Sequence, residues 1–358
     1  MKGLILSGGK GTRLRPLTYT RAKQLLPVAN KPVLFYSLEA MREAGITQVG
    51  VIVGDTEEEV RAAVGDGSAW GLRVHYIRQE APLGLAHAVL CAEAYLGQEP
   101  FVMYLGDNLI LGGIRAFVDR FQATRPDAQI LLARVKTPEQ FGVAELDEMG
   151  RAVRLVEKPK EPQSDLALVG VYLFDHHIFD ACKGIRPSPR GELEITDAIQ
   201  HLIDGGSHVD AHVIEGWWKD TGKTEDLLEA NRIILGTLRA SIAGEVTGDS
   251  AIEGTVVVEA GARVVGSTLR GPLIIGEGAE VIESYVGPYT SIGRGCCIQG
   301  SEIEHSIVLE GSSVVGVARR IDGSLIGQNS HIIGRPRRPA ALRIVVGDDS
   351  AVDIPELA

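Results

Sequence analysis

The chain has 358 residues, 44% hydrophobic, 23% charged and 5% aromatic, with a net charge of −11. That length accommodates two domains with cores of their own, in the composition of an ordinary globular protein. The acidic balance excludes a general nucleic-acid binder, which needs a basic footprint, and no run approaches the roughly 18 apolar residues of a membrane span.

Four cysteines (Cys91, Cys182, Cys296, Cys297) show no CxxC spacing, so neither a zinc site nor a disulfide framework is expected. The opening "KGLIL" is too short for a signal-peptide core. A soluble, cytoplasmic protein without a membrane partner is the expectation.

In chain order, "GLIL" predicts a strand that opens into "SGGKGTRLRPLTYTRAKQLLP". "NKPVLFYSLEAMREAG" carries apolar residues at helical spacing and stops at Gly45. Then "QVGVIVG", "EEEVRAAVGDG", "LRVHYIRQ", "LGLAHAVLCAEAYL" and "PFVMYLGDN" alternate strand with helix. That alternation marks a largely parallel sheet with helices on both faces. Ligands of such sheets bind at the carboxyl ends of the strands, so "LSGG" and "YLGDN" are expected to lie close together. From 136 to 240 the alternation loosens, with "AVRLVEKP", "ALVGVYLFD", "ELEITDAIQHLIDGG" and a helix from Thr224 to Arg239.

After residue 240 apolar residues recur in rows with a period of 17. One row is Val258, Ile275, Ile292, Leu309 and Ile326; a second is Val264, Val281, Ile298, Val315 and Ile332. A third, Ile252, Leu269, Val286 and Ile303, is broken at Arg320. Three inward residues per period predict a triangular solenoid whose coils bury one another's apolar rows. This hexapeptide-type repeat resembles a left-handed parallel β-helix. The tail from Arg335 reads as a cap or a loose end, and Cys296-Cys297 as coil filling.

The glycine-rich opening fails two familiar phosphate motifs. A P-loop needs Lys-Ser/Thr after its last glycine, whereas Thr12-Arg13 follows Gly11; the dinucleotide fingerprint starts at Gly9 and Gly11 but meets Leu14 in place of its third glycine. A loop that merely turns the chain does not account for Arg13, Arg15, Arg21 and Lys23 downstream of it.

"LSGGKGTRLRPLTYTRAKQLLPVANKPVLFY" resembles the opening of the sugar-nucleotide pyrophosphorylases, and among them the glucose-1-phosphate thymidylyltransferases, whose pattern is GGxGTRLxPLT followed by KQLLPV and KP. The blocks "APLGLAHA", "YLGDN", "FGVAELD", "VEKPKEP", "LVGVYLFD", "RGELEITDAI" and "WWKDTGKTEDLLEAN" follow in family order, over residues 1 to 235. With the repeats appended, the chain resembles the long forms of antibiotic deoxysugar pathways. The resemblance implies an α/β fold: a Rossmann-like nucleotidyltransferase domain with a mixed, mainly parallel sheet over 1–240, then a left-handed β-helix with its tail over 241–358.

It also implies a reaction, in which a sugar 1-phosphate oxygen attacks the α-phosphorus of a nucleoside triphosphate and pyrophosphate leaves. The attacking phosphate is already ionised, so the problem is positioning two polyanions and neutralising their charge, with no catalytic triad. The expected substrates are dTTP and glucose 1-phosphate, the expected cofactor is Mg²⁺, and a homo-oligomer is expected.

By the same resemblance Gly8, Gly9, Gly11 and Thr12 cradle the triphosphate, Arg13 and Lys23 neutralise it, and Gln24 contacts the nucleotide. Arg15 and Arg21 stay open between contact and surface charge. Asp107, alone a turn former, and Asp220, alone a turn or N-cap residue, match the two metal carboxylates of the family. Gln79 and Gly84 match the block that reads the base, with Leu83 and His87 departing from the family's usual Asp and Gln; His87 otherwise reads as structural. Asn108, Gly142, Glu157, Val169 and Gly170 are implied at the sugar and Lys158 at its phosphate, although Glu157-Lys158 alone would read as a solvated pair. Trp217 and Trp218 read as a stacking wall or as core, and His176 and His177 as surface residues.

Uridylyl transfer is the neighbouring reading. A bifunctional enzyme with acyltransfer chemistry in the β-helix would have only His305 and His331 to work with there. A catalytically dead scaffold is disfavoured because the charged residues are all present.

Overall fold

The computed structural model describes residues 1–9 and 11–334; Lys10 and the tail from Arg335, read above as a cap or loose end, lie outside the described residues. The first part runs β1 (Lys2–Leu6), β2 (Pro27–Val28), β3 (Lys31–Pro32), α1 (Val33–Glu43), β4 (Gln48–Val53), α2 (Glu57–Val64) and β5 (Arg73–Arg78). Next come α3 (Leu85–Cys91), α4 (Glu93–Leu96), β6 (Phe101–Leu105), β7 (Asn108–Ile110), α5 (Arg115–Thr124), β8 (Ala128–Arg134) and β9 (Gly142–Leu146). The last are β10 (Ala152–Glu157), β11 (Leu166–Phe174), α6 (His177–Gly184), α7 (Ile195–Asp204), β12 (Val209–Val213), β13 (Trp218–Asp220) and α8 (Thr224–Leu235).

Nine strands form one sheet in the order β10-β9-β11-β6-β1-β4-β5, with β8 joining β11 to β12. β1 runs parallel to β4 and β6, and β4 to β5, while β11 is antiparallel to β6, β8 and β9. The sheet is therefore mixed. Its central strands β4, β6 and β11 are nearly continuous apolar runs because helices cover both faces, whereas β5, β10 and β12 toward the edges mix in polar residues. Ala86, Val89, Ile178, Phe179, Ile195 and Ile199 of α3, α6 and α7 pack one face. Leu34, Leu38, Met41, Val60, Val118 and Phe121 of α1, α2 and α5 pack the other. Helix α8 stops at Leu235, short of the expected Arg239, and Gly236 caps it.

Beyond residue 240 the chain winds into a left-handed β-helix, its strands stacked in three parallel sheets of six, six and five. The expected rows hold through Ile292, Ile298 and Ile303 and then require correction. Ile292 pairs with Val308 and not Leu309, and Ile298 with Val314 and not Val315. Ile303 pairs with Ile321, so Arg320 does not break the third row. One residue is missing from the turn after Ile303, and the turn after Val314 is longer by two. The displaced Leu309 is still buried, but on the outside of the coil against the first domain. Cys296 fills the coil interior, while Cys297 points outward and is half-buried.

A serine ladder strengthens one corner of the solenoid. The hydroxyls of Ser250, Ser267, Ser284 and Ser301 each accept from the backbone amide one coil on, at 3.0–3.2 Å. Each also donates to a nearby carbonyl, so these small hydroxyls satisfy corner amides that the strand ladders leave free.

The two domains share a core. Val28, Ala29, Leu227, Ala230 and Ile234 pack against Ile274, Ile307 and Leu309 of the solenoid. At its centre Asn231 is fully buried. Its Oδ1 accepts from Ala29 N at 2.8 Å and Ser291 Oγ at 2.6 Å, and its Nδ2 donates to the Tyr289 carbonyl at 3.0 Å.

Candidate active site

The carboxyl ends of β1 and β6 meet as expected. Leu6 pairs with Leu105, and the Gly106 amide donates to the Leu6 carbonyl at 2.9 Å. β7 then pairs antiparallel with β13, setting Asn108 opposite Asp220. That pairing brings Asp107 and Asp220, remote in sequence, to one wall of a cleft of about 390 Å³. Gly8, Gly9, Lys23, Gln24, Gln79, Gly84, Asn108, Gly142, Glu157, Lys158 and Gly170 also line it.

Four expected residues are outside this lining. Gly11, Thr12 and Arg13 are absent from it; Thr12 and Arg13 are exposed. Arg13 borders an adjoining cavity that shares Asp220 and Trp218 with the cleft, and its charge reaches both Lys23 and Asp220. Val169 needs correction: its side chain is buried in the opposite core with Val171 and Leu173. β11 alternates, so Leu168, Gly170 and Tyr172 face the cleft and Val169 faces away.

The glycines of the opening loop make room for a side chain. A Cβ on Gly9 would stand 2.8 Å from Lys23 Cε, and Gly11, at φ +61°, would place one 2.8 Å from Lys23 Cβ. Lys23 Nζ is hydrogen-bonded to Asp107 Oδ2. Burial alone would lower the Lys23 ammonium, but the Asp107 carboxylate, with Asp220 behind it, outweighs burial and holds it above its usual range. Burial likewise acts to raise Asp107, and Lys23 overrides it, so Asp107 is held below the usual carboxylate range. Among the described residues Asp220 has no hydrogen-bonded cation of this kind: burial first, and the Asp107 charge second, push it up to about 7.

Asn108 is spent internally. Its Oδ1 accepts from Trp218 Nε1 at 2.6 Å and Gly170 N at 3.2 Å, and its Nδ2 donates to Asp107 Oδ1 at 3.1 Å. A side chain on Gly170 would collide with it at 2.5 Å, so this glycine serves close approach. Trp218 forms a wall of the cleft, edge-on to Phe141 at 5.5 Å, while Trp217 packs into the domain contact. At the Glu157 end of the cleft, Glu157 accepts from Thr196 Oγ1 at 2.7 Å and Arg190 Nη2 at 3.2 Å, and Lys158 Nζ lies 3.5 Å from it. Arg190, whose guanidinium also holds Glu194 at 2.9 Å, was missed from the sequence although "RGELEITDAI" contains it. An arginine inside an otherwise recognised block was the available signal.

Arg15 and Arg21 both lie outside the lining of the cleft, and Arg21 reaches the domain boundary. Arg15 lies over the Tyr19 ring at 4.8 Å, and Arg21 pairs with Glu310 of the solenoid at 3.1 Å and with Gln328. His176 and His177 are surface residues beside Asp175. His305 pairs with Asp322 and His331 with Ser313, on the outside of the coils.

The cleft suits a cation. Its lining carries Lys23, Lys158 and Arg190 against Asp107, Glu157, Glu192, Glu194 and Asp220, an acidic balance that opposes a polyanion. Among the described residues Asp220 Oδ1 is buried without a hydrogen-bond partner, and so is Gln24 Oε1. A buried, unpartnered carboxylate oxygen beside a second carboxylate is a hard-oxygen donor set of the kind Mg²⁺ or a similar divalent ion takes. Asp107 and Asp220 are the residues that would hold it.

Fold and cleft together define a nucleotide-handling enzyme, and the comparisons agree. The family described as nucleotidyl transferase matches residues 2–236, and the chain belongs to it. It is 58% identical over 355 residues to a protein of Streptomyces antibioticus named glucose-1-phosphate thymidylyltransferase, covering 99% of each. A Haloferax volcanii protein named low-salt glycan biosynthesis nucleotidyltransferase is 48% identical over 358 residues, covering 99% of this chain and 100% of that one. The crystal structure of a UDP-glucose pyrophosphorylase complexed with UDP-glucose superposes with a TM-score of 0.61 at 25% identity, over 66% of this chain and 99% of that chain. Among the described residues no helix is long and apolar enough to cross a membrane.

Proposed function

We propose that the chain is a glucose-1-phosphate thymidylyltransferase, which joins dTTP and glucose 1-phosphate into dTDP-glucose and releases pyrophosphate. The observation that carries this reading is the single cleft into which the glycine loop, Gln79, the Asp107–Asp220 pair and the Glu157–Lys158–Arg190 cluster all open. The full-length identity to a relative of that name supports it.

The residues divide the work by charge. The glycine-loop backbone and Lys23 receive the triphosphate, and Arg13 at the edge of the cleft adds charge toward the leaving pyrophosphate. Lys158 and Arg190 hold the sugar phosphate so that its oxygen faces the α-phosphorus, and Glu157 accepts from sugar hydroxyls. The Pα–O bond to the β-phosphate breaks as the new Pα–O bond forms, and the electron pair leaves with pyrophosphate. No residue has to remove a proton, because the nucleophile is an ionised phosphate. Trp218 and Phe141 wall the cleft, and Gln24 Oε1 is free to meet the nucleotide. A bound Mg²⁺ supplies neutralisation of phosphate charge.

Pyrophosphate release with glucose 1-phosphate and Mg²⁺, compared across dTTP, UTP, ATP, CTP and GTP, tests the proposal. The expected result is highest kcat/KM with dTTP, UTP being the nearest competitor; no turnover with any of them overturns it.

A further inference from the structure

Gln79 stands between the end of β5 and helix α3, on the lining of the cleft. Its Nε2 donates to the Gly84 carbonyl oxygen at 3.2 Å and lies 2.9 Å from His87 Nδ1. An amide nitrogen only donates, so Nδ1 is the acceptor and the ring proton belongs on Nε2. The reversed amide would set Oε1 against the Gly84 oxygen, acceptor to acceptor, so the Gly84 oxygen dictates which way the amide points. Gly84 itself cannot retreat. It has φ +104°, and a Cβ on it would meet the Leu193 carbonyl oxygen at 2.4 Å.

Both amide protons of Gln79 are thus spent inside the protein. What remains is Oε1, aimed at the glycine loop, 3.5 Å from where a Cβ on Gly8 would stand. His87 is half-buried on α3 and takes the second of those protons.

We propose that His87 is a positioning residue for base recognition. The Gly84 carbonyl commits Gln79 to present an acceptor, which suits a base edge offering N–H, as thymine and uracil do at N3, and His87 holds the amide where that acceptor is presented. Cytosine offers a lone pair there and is disfavoured, because the amide cannot turn to donate without setting its oxygen against the Gly84 carbonyl; His87, which can follow such a turn by changing tautomer, secures the amide's place and not its direction. His87 therefore contributes to pyrimidine choice without touching the nucleotide. The inference rests on the pyrimidine-nucleotide reading above.

The test is steady-state pyrophosphate release with glucose 1-phosphate and either dTTP or dCTP, for wild type, His87→Leu, His87→Gln, Gln79→Leu and the Gln79→Leu/His87→Leu double variant. Leucine at 87 removes one anchor. The KM for dTTP is then expected to rise on the order of tenfold, more than kcat falls, and the dTTP preference over dCTP to shrink by a similar factor. Glutamine, whose side-chain carbonyl can take the same proton, is expected to restore most of both. In the Gln79→Leu background the change at 87 is expected to add nothing. Unchanged KM and base preference in His87→Leu, or a full further loss in the double variant, overturns the proposal. Should the leucine variant not fold, His87→Ala carries the same comparison. A wild-type chain that used only purine triphosphates would overturn the pyrimidine reading itself, an outcome visible before any variant is made.

Discussion

Thr221 donates twice to one oxygen: its backbone amide at 2.9 Å and its hydroxyl at 2.8 Å both reach the Asp107 carbonyl. This clasp joins the β6–β7 corner to the turn before α8, and with the β7–β13 pairing it holds two carboxylates close that would otherwise repel. Thr221→Val keeps the amide bond and loses the hydroxyl bond. It is expected to cost about 1 kcal/mol of stability and to lower kcat more than it raises the KM for dTTP. A change in KM alone would show that the clasp serves binding and not carboxylate placement.

Asp220, pushed up to about 7 from its usual 3.8, gives a pH signature. A carboxyl raised on folding stabilises the fold below its unfolded pKa, and that contribution is lost as pH rises through 3.8 toward 7. In metal-free protein Asp220→Asn is therefore expected to be the more stable form at about pH 8 and to lose its advantage below about pH 4. Urea midpoints across that window check it. The same variant is expected to lose activity by on the order of a hundredfold or more.

Arg190 binds Glu157 and Glu194 through a planar fork that lysine does not reproduce. Arg190→Lys is expected to raise the KM for glucose 1-phosphate roughly tenfold and to leave the KM for dTTP within about twofold. Substrate-by-substrate kinetics separate the two; an equal rise in both would place Arg190 at neither end in particular.

The shifted coils can be read from stability. Val314 is fully buried in the solenoid, whereas Val315, the residue a uniform repeat selects, faces outward. Val314→Ala is expected to cost about 1–3 kcal/mol and Val315→Ala less than about 0.5. The opposite order in denaturant midpoints would restore the uniform repeat.

Asn231 has every polar atom engaged across the domain boundary. Asn231→Leu strands the Ala29 amide and the Ser291 hydroxyl and is expected to cost about 2–4 kcal/mol. Unfolding followed separately by fluorescence and circular dichroism shows whether the two domains then part company. Coincident, unshifted transitions would mean that the apolar contact alone holds them.

Much of this was legible beforehand because apolar runs and glycine stops are local signals. β1, α1, β4, α2 and β5 stand where those signals lie, and the strand-end rule places Gly8 and Asp107 side by side. Other parts depend on facts that no window of sequence holds. Val169 and Gly170 are neighbours in a wholly apolar strand, and only the sheet's second helical layer decides which of them faces ligand. Leu309 fits a period of 17 in composition but is buried against the first domain and not inside the coil. The nearness of Asp107 to Asp220 came from resemblance, since the antiparallel pairing that produces it joins distant segments. His87 read as structural, because its partner Gln79 lies across a loop whose path only Gly84 reveals.

The packing of Gly9 and Gly11 against Lys23 has an evolutionary reading. Neither glycine can acquire a side chain while the lysine stands within 2.8 Å of where it would grow. Shortening the lysine would lift the constraint on Gly9, whose close contacts are Cε and Nζ, but not on Gly11, which meets Cβ and sits at φ +61°. Positions 9 and 23 are thus epistatic, whereas Gly11 is required by its backbone whatever side chain stands at 23. A mutational library that varies them one at a time will record three intolerant sites, whereas one that varies them together will find how much of that intolerance each owes to the others.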